Sequence, residues 1–175
     1  MRYKLLSALI LLSIVSLNFN LVAKTPKNRT EALRTVRRCM SRPTPSDCSV
    51  DTIDDALGYL INLYNHGNRS LLRPLLDAGP RSDGAFGEAL GDLYSNVLSK
   101  HPRTFLASIR SRPLKQQRHF CWMAGVTDGS GMGTQMLRDV RHSLRVISSR
   151  RADPLSSVAR ICLANVNRAN ASNGR

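Results

Sequence analysis

Residues 84–98, GAFGEALGDLYSNVL, contain the strongest periodic pattern in this 175-residue chain. Asp83 directly precedes the pattern, where its carboxylate can accept hydrogen bonds from first-turn N–H groups. The three- and four-residue spacing predicts an amphipathic α-helix with a wide buried face. That face carries Phe86, Ala89, Leu90, Leu93, Tyr94, Val97 and Leu98.

The same apolar spacing recurs on both sides of this segment, and proline or glycine separates the predicted helices. Ser70 is the predicted N-cap of one short helix. No alternating run is long enough to predict a strand. The predicted fold is all-α, an antiparallel helical bundle or a short HEAT-like stack of helical hairpins, with about seven to eight helices. The additional helices are predicted near 30–40, 53–64, 71–78, 102–109, 113–124, 137–147 and 154–166.

A weak internal recurrence bears on the choice between bundle and stack. An Ala-Gly pair followed by an Asp-Gly pair occurs twice, with glycines at 79, 84, 125 and 129. The offset of about 45 residues lies in the range of HEAT-type hairpins, but a solenoid core usually needs three copies. We therefore favour the interpretation that each glycine serves a turn.

The first 23 residues are typical of an export signal. Arg2 and Lys4 precede a mostly apolar run from Leu5 to Leu17, and Ala23 offers a small residue for cleavage. Signal peptidases also prefer a small residue two positions before the last residue of the signal, and Leu21 at that position is larger. An uncleaved membrane anchor is therefore the alternative. The sequence predicts a signal at 1–23, one helical domain at 24–175, and a periplasmic or extracellular location.

Four cysteines follow the predicted signal: Cys39, Cys48, Cys121 and Cys162. An even number favours two disulfides in an oxidising compartment, and three pairings are possible. We favour Cys39 with Cys48, across a short loop, and Cys121 with Cys162, between two C-terminal helices. Because no Cys-x-x-Cys pair is present, we predict no metal site.

The chain is strongly basic, with 26 Lys and Arg against 12 Asp and Glu. The predicted signal holds two of the cations and none of the acids, so the remaining chain carries a net charge of +12. Such a charge attracts an acidic protein or an anionic envelope surface, although solubility alone is an alternative explanation. Few aromatic residues interleave with the cations, which disfavours nucleic acid as a partner. Membrane contact is expected only through an uncleaved signal.

Three arginines fall on one face of the predicted helix near 137–147. Arg138, Arg141 and Arg145 lie three and four residues apart, opposite the apolar positions, and His142 flanks them. We call Arg138, Arg141 and Arg145 the arginine stripe, and we predict that it and the loop containing Asp128 contact a partner. A solvated helix face is the alternative. Further cations that we predict to extend this surface are Arg34, Arg37, Arg38, Arg150 and Arg151.

No arrangement of residues identifies a reaction, and we predict no catalytic residue and no cofactor. Residues 129–134, GSGMGT, are glycine-rich and precede a helix, but they lack the Gly-Lys-Ser/Thr ending of a phosphate-binding loop. A secreted hydrolase using Asp83, Asp128 or His119 is one alternative function.

The segment Cys121-Trp122-Met123-Ala124-Gly125-Val126-Thr127-Asp128 suggests another alternative. It resembles the Cys-x-x-x-Gly-Val-x-Asp segment of small exported helical immunity proteins that block type VI amidase effectors. The resemblance covers eight residues, and the other cysteines do not follow that family's order, so no residue role is carried over. It implies a periplasmic immunity or inhibitor-type protein. The favoured hypothesis remains an exported, non-catalytic helical protein that binds another macromolecule.

Overall fold

A computed structural model describes residues 26–40, 46, 48–81, 84–126 and 134–173. This part of the chain contains eight α-helices, two short 3₁₀ turns at 69–71 and 79–81, and no strand, which confirms the all-α prediction. The helices are α1 (Arg29–Cys39), α2 (Val50–Asn65), α3 (Leu72–Ala78), α4 (Gly84–Lys100), α5 (Pro102–Ile109), α6 (Leu114–Met123), α7 (Thr134–Ser149) and α8 (Ser156–Asn173).

Helix ends follow local sequence chemistry. The Asn28 side chain accepts a hydrogen bond from the Glu31 N–H at the start of α1, and Ser49 accepts one from Thr52 at the start of α2. Gly67 follows α2 with a φ of 101°, a conformation that glycine adopts without strain.

One local expectation was wrong. Ser70 lies inside a 3₁₀ turn and donates its hydroxyl hydrogen to Asn68, so it does not cap α3. The position lies at a helix start, where the apolar period gives little information.

Helix α4 lies at the centre of the fold and packs against α2, α5, α6 and α7. Its Tyr94 is fully buried, with its ring centroid 6.0 Å from Phe105 and 5.8 Å from Phe120. The Tyr94 hydroxyl donates a 2.8 Å hydrogen bond to the Leu75 carbonyl oxygen. Burial raises the pKa of the Tyr94 phenol well above its usual value, so this group remains a neutral donor.

Two disulfides join neighbouring helices. Cys39 bonds Cys48, which links the end of α1 to the segment before α2, and Cys121 bonds Cys162, which links α6 to α8. These are the pairings that the sequence favoured. Disulfides of this kind are typical of an oxidising compartment.

Several sequence predictions fall outside the described residues. They include the signal at 1–23, the Asp83 cap, Asp128 and most of the glycine-rich loop. Within the described ranges, no helix has the length and apolar character needed to cross a bilayer.

The C-terminal end of α6 approaches α8 very closely. A Cβ atom built on Gly125 would lie 2.8 Å from the Val166 Cα and 3.0 Å from the Val166 carbonyl oxygen. The preceding residue, Ala124, accepts a 2.7 Å hydrogen bond from the buried Ser95 hydroxyl of α4. Glycine is therefore needed at 125 because two backbones meet there, and not only because the chain turns.

A bidentate ion pair supports the connection between α7 and α8. Arg103 donates to both carboxylate oxygens of Asp153, at 2.7 and 3.2 Å, and the Asp153 carboxylate also accepts the Leu155 N–H at 3.0 Å. The Asp153 side chain is only 8% exposed. The Arg103 guanidinium and the Leu155 N–H hold the pKa of the Asp153 carboxyl below its usual value.

We expect Asp153→Asn to lower the thermal midpoint at neutral pH because it removes the charged acceptor. A carboxyl with a lowered folded pKa contributes stability above its unfolded pKa, about 4, and loses it as the pH falls through the folded pKa. The difference in thermal midpoint between wild type and variant should stay constant from about pH 5 to pH 8 and shrink below about pH 4. Calorimetry across this pH range measures the difference, with Asp54→Asn on the exposed face of α2 as the control. A difference in thermal midpoint that does not change below about pH 4 would contradict the stabilising role of the Asp153 carboxylate.

Candidate binding surface

The arginine stripe lies on the outer side of α7. Arg138 and Arg145 are exposed and Arg141 is half-buried, while His142 beside them is also exposed. The adjoining side of the helix is buried, through Leu137, Val140, Leu144 and Ile147. The structure thus places Arg138 and Arg145 on the solvent-facing side of an amphipathic helix and Arg141 at the border with its buried side.

Neutral side chains hold two of these arginines in place. The Arg138 Nη2 group donates to the Gln135 side-chain oxygen at 2.7 Å, and the Arg141 Nε group donates to the Asn167 side-chain oxygen of α8 at 2.7 Å. A guanidinium has five N–H donors, so most donors of each group remain available. The acceptors fix the position of the charges without neutralising them.

The carboxylates of the described residues do not neutralise the stripe. Asp139 lies on the same helix, but its described partner is the Gln135 amide, at 2.8 Å. Across the described ranges, no ion pair involves Arg138, Arg141 or Arg145. Within this part of the chain, the stripe therefore presents positive charge that no ion pair offsets.

The other predicted cations do not all join this surface. Arg150 and Arg151 are exposed directly after α7. In contrast, α1 packs on α2 and α3, whereas α7 packs on α4, α5 and α8. The α1 arginines form a separate basic patch, an open groove of about 600 Å³ lined by Thr30, Leu33, Arg34, Arg37 and Arg38.

The residues considered for hydrolysis are not assembled into a site by the described part of the chain. Asp83 and Asp128 lie outside it. The half-buried His119 ring has its Nε2 atom 3.3 Å from the Gly79 carbonyl oxygen and packs beside Phe120. The described residues also contain no group of three His, Cys, Asp or Glu side chains that could hold a metal ion. His119 is accounted for by its contacts within the fold.

A second feature, which the sequence did not predict, is a cavity of about 350 Å³ lined by residues of α1, α2, α3 and α6. Asp77 and Arg112 form an ion pair of 2.6 Å beside it. The Gln116 side-chain oxygen is buried and has no hydrogen-bond partner among the described residues. No local spacing connects residues 77, 112 and 116 with α1, so only the folded packing reveals this arrangement.

No protein-family model, curated protein sequence or solved structure matches this chain.

Proposed function

We propose that this chain is an exported, non-catalytic binding protein that holds an acidic partner protein on the arginine stripe. The observation that carries the proposal is that neutral side chains hold the guanidinium groups of Arg138 and Arg141 on α7, and that none of the described carboxylates forms an ion pair with them. Arginine recognises carboxylates through paired N–H donors, and such contacts are among the strongest at protein interfaces. The two disulfides support a location in an oxidising compartment outside the cytoplasm.

An acidic protein fits the stripe better than an anionic membrane surface. Headgroup attraction requires only clustered charge, and it does not depend on where each guanidinium points. Here Gln135 of α7 and Asn167 of α8 hold Arg138 and Arg141, both on α7, at defined positions. Fixed donors match carboxylates presented at fixed positions on a folded partner, because pre-organised groups lose little entropy on binding.

Replacing the three stripe arginines with alanine should abolish partner recovery. Wild-type protein immobilised on resin is incubated with envelope extract, retained proteins are identified by mass spectrometry, and binding is repeated with the purified partner. Because central arginines often contribute 2 kcal/mol or more, we expect the Kd to rise by at least about tenfold. The increase should shrink in high salt.

The matched control removes three exposed cations elsewhere, Arg73 on α3 with Lys115 and Arg118 on α6. It lowers the net charge by the same amount and should leave recovery of the partner nearly unchanged. Equal loss in both triple variants would mean that net charge alone drives binding. Equal recovery with wild type and the Arg138/Arg141/Arg145 variant would remove the stripe from the proposal.

A further inference from the structure

The basic patch on α1 is a second charged surface, separate from the arginine stripe. Its members recur at three- and four-residue spacing along one side of the helix and line an open groove of about 600 Å³. They are Thr30, Leu33, Arg34, Arg37 and Arg38. The three arginines are exposed, so this side of α1 presents several guanidinium groups to solvent.

The described carboxylates nearest to the α1 basic patch have other partners. The Glu31 carboxylate, on α1 itself, accepts the backbone N–H of Lys27 at 2.8 Å. Asp77 lines the neighbouring cavity together with Arg37, but it pairs with Arg112 at 2.6 Å. The patch therefore keeps a local excess of positive charge.

Two arginines of the α1 basic patch are not held in place as the stripe arginines are. Within the described ranges, neither Arg34 nor Arg37 forms a side-chain hydrogen bond or an ion pair. In the stripe, Gln135 and Asn167 hold two guanidinium groups. Unheld side chains lose more rotamer entropy when a folded partner fixes them. They suit a surface whose own charges can move.

The other side of α1 belongs to the core of the fold. Ala32, Val36 and Cys39 are buried where α1 packs on α2 and α3. The helix therefore has no apolar face that could enter hydrocarbon, as an interfacial amphipathic helix requires. Residues 27–38 hold five Lys and Arg side chains and one carboxylate, a net charge of +4. Basic clusters of this size bind anionic lipid headgroups through charge.

We propose that the α1 basic patch holds the protein against an anionic membrane surface, with lipid phosphate groups as its ligands. Arg29, the first residue of α1, lies six residues after Ala23, the last residue of the predicted signal. A fully extended connection of that length spans at most about 22 Å, so a signal still in the bilayer keeps the patch near the headgroups. From the sequence, membrane contact was expected only through an uncleaved signal, and this patch adds a second contact.

The test is sedimentation of the exported protein with lipid vesicles. Vesicles of phosphatidylglycerol and phosphatidylcholine in equal amounts are compared with vesicles of phosphatidylcholine alone. Wild-type protein should sediment with the anionic vesicles, and the bound fraction should fall as salt is added. Equal sedimentation with both kinds of vesicle, or none with the anionic vesicles, would overturn the proposal.

Replacing Arg34 and Arg37 with alanine should weaken binding to the anionic vesicles at least about tenfold, because each cation near an anionic surface strengthens binding about fivefold. The matched control replaces Arg138 and Arg145, which are also exposed, and lowers the net charge by the same amount. It should bind vesicles within about twofold of wild type, because the affected charges lie on another surface. Equal weakening in the two double variants, with unchanged thermal midpoints, would mean that net charge alone drives binding and would refute the patch.

Replacing Arg34 and Arg37 with lysine distinguishes a membrane from a folded acidic protein. Lysine keeps the positive charge but loses the paired N–H donors of arginine. Because headgroup attraction depends on charge, this variant should bind anionic vesicles within about twofold of wild type. A loss as large as that of the alanine variant would indicate recognition of guanidinium geometry and contradict the proposal. This inference does not depend on the stripe, so either surface can fail alone.

Discussion

Replacing Cys121 and Cys162 together with alanine is expected to lower the free energy of unfolding by about 4 kcal/mol. The bond joins residues 41 apart in sequence, and both cysteines are fully buried between α6 and α8. Its main effect is to restrict the unfolded chain, and this restriction grows with the length of the closed loop. Domains of this size are stable by only about 5–15 kcal/mol, so the variant should lose a large share of its stability.

The second disulfide gives an internal comparison. Cys39 and Cys48 are nine residues apart, so replacing both with alanine should cost less, about 2.5 kcal/mol. Urea unfolding of both double variants without reductant measures the two losses on one scale. If removal of the short-loop bond proved more costly than removal of the Cys121–Cys162 bond, loop closure would not be the dominant effect here.

Gly125→Ala is expected to destabilise the protein by up to about 3 kcal/mol through overpacking. The added methyl group would meet backbone atoms of Val166, which cannot rotate away as a flexible side chain can. Local relaxation is also restricted, because the nearby Cys121–Cys162 bond ties α6 to α8. The cost should appear as a lower midpoint in urea with an unchanged denaturant slope.

Gly58→Ala is the matched control for this substitution. Gly58 is exposed inside α2, and a Cβ atom there would meet nothing within 4 Å. Alanine should stabilise the helix by about 0.5–1 kcal/mol, because glycine loses more backbone entropy on folding. Opposite signs for the two glycine variants are the expected result. A neutral or stabilising Gly125→Ala would contradict the close approach of α6 and α8.

Local periodicity was sufficient to predict most of the fold. Buried positions such as Leu93 and Val97 in α4, or Leu144 in α7, follow directly from the three- and four-residue spacing. Gly125 shows where this reasoning stops. From sequence it was interpreted as a turn residue, but its main constraint is the α8 backbone, which lies about 40 residues further along the chain and is positioned by tertiary packing.

The candidate sites also differ in how far the sequence predicts them. The arginine stripe is predictable because its three members lie on one helix. Asn167, which accepts a hydrogen bond from Arg141, belongs to α8 and carries no local signal. The cavity was not predictable at all. Asp77, Arg112 and Gln116 become neighbours of α1 only after α3 and α6 pack beside it, and a buried oxygen without a donor cannot be recognised before burial is known.

The positions of the two disulfides determine how the protein responds to a protease. A single backbone cut between residues 122 and 161 leaves both fragments covalently joined through Cys121 and Cys162, so the fragment carrying the α7 arginines stays attached. A cut between residues 49 and 120 is different, because no disulfide connects its two sides. A cut between Cys121 and Cys162 therefore releases no fragment. After a cut between residues 49 and 120, only noncovalent packing holds the two fragments together.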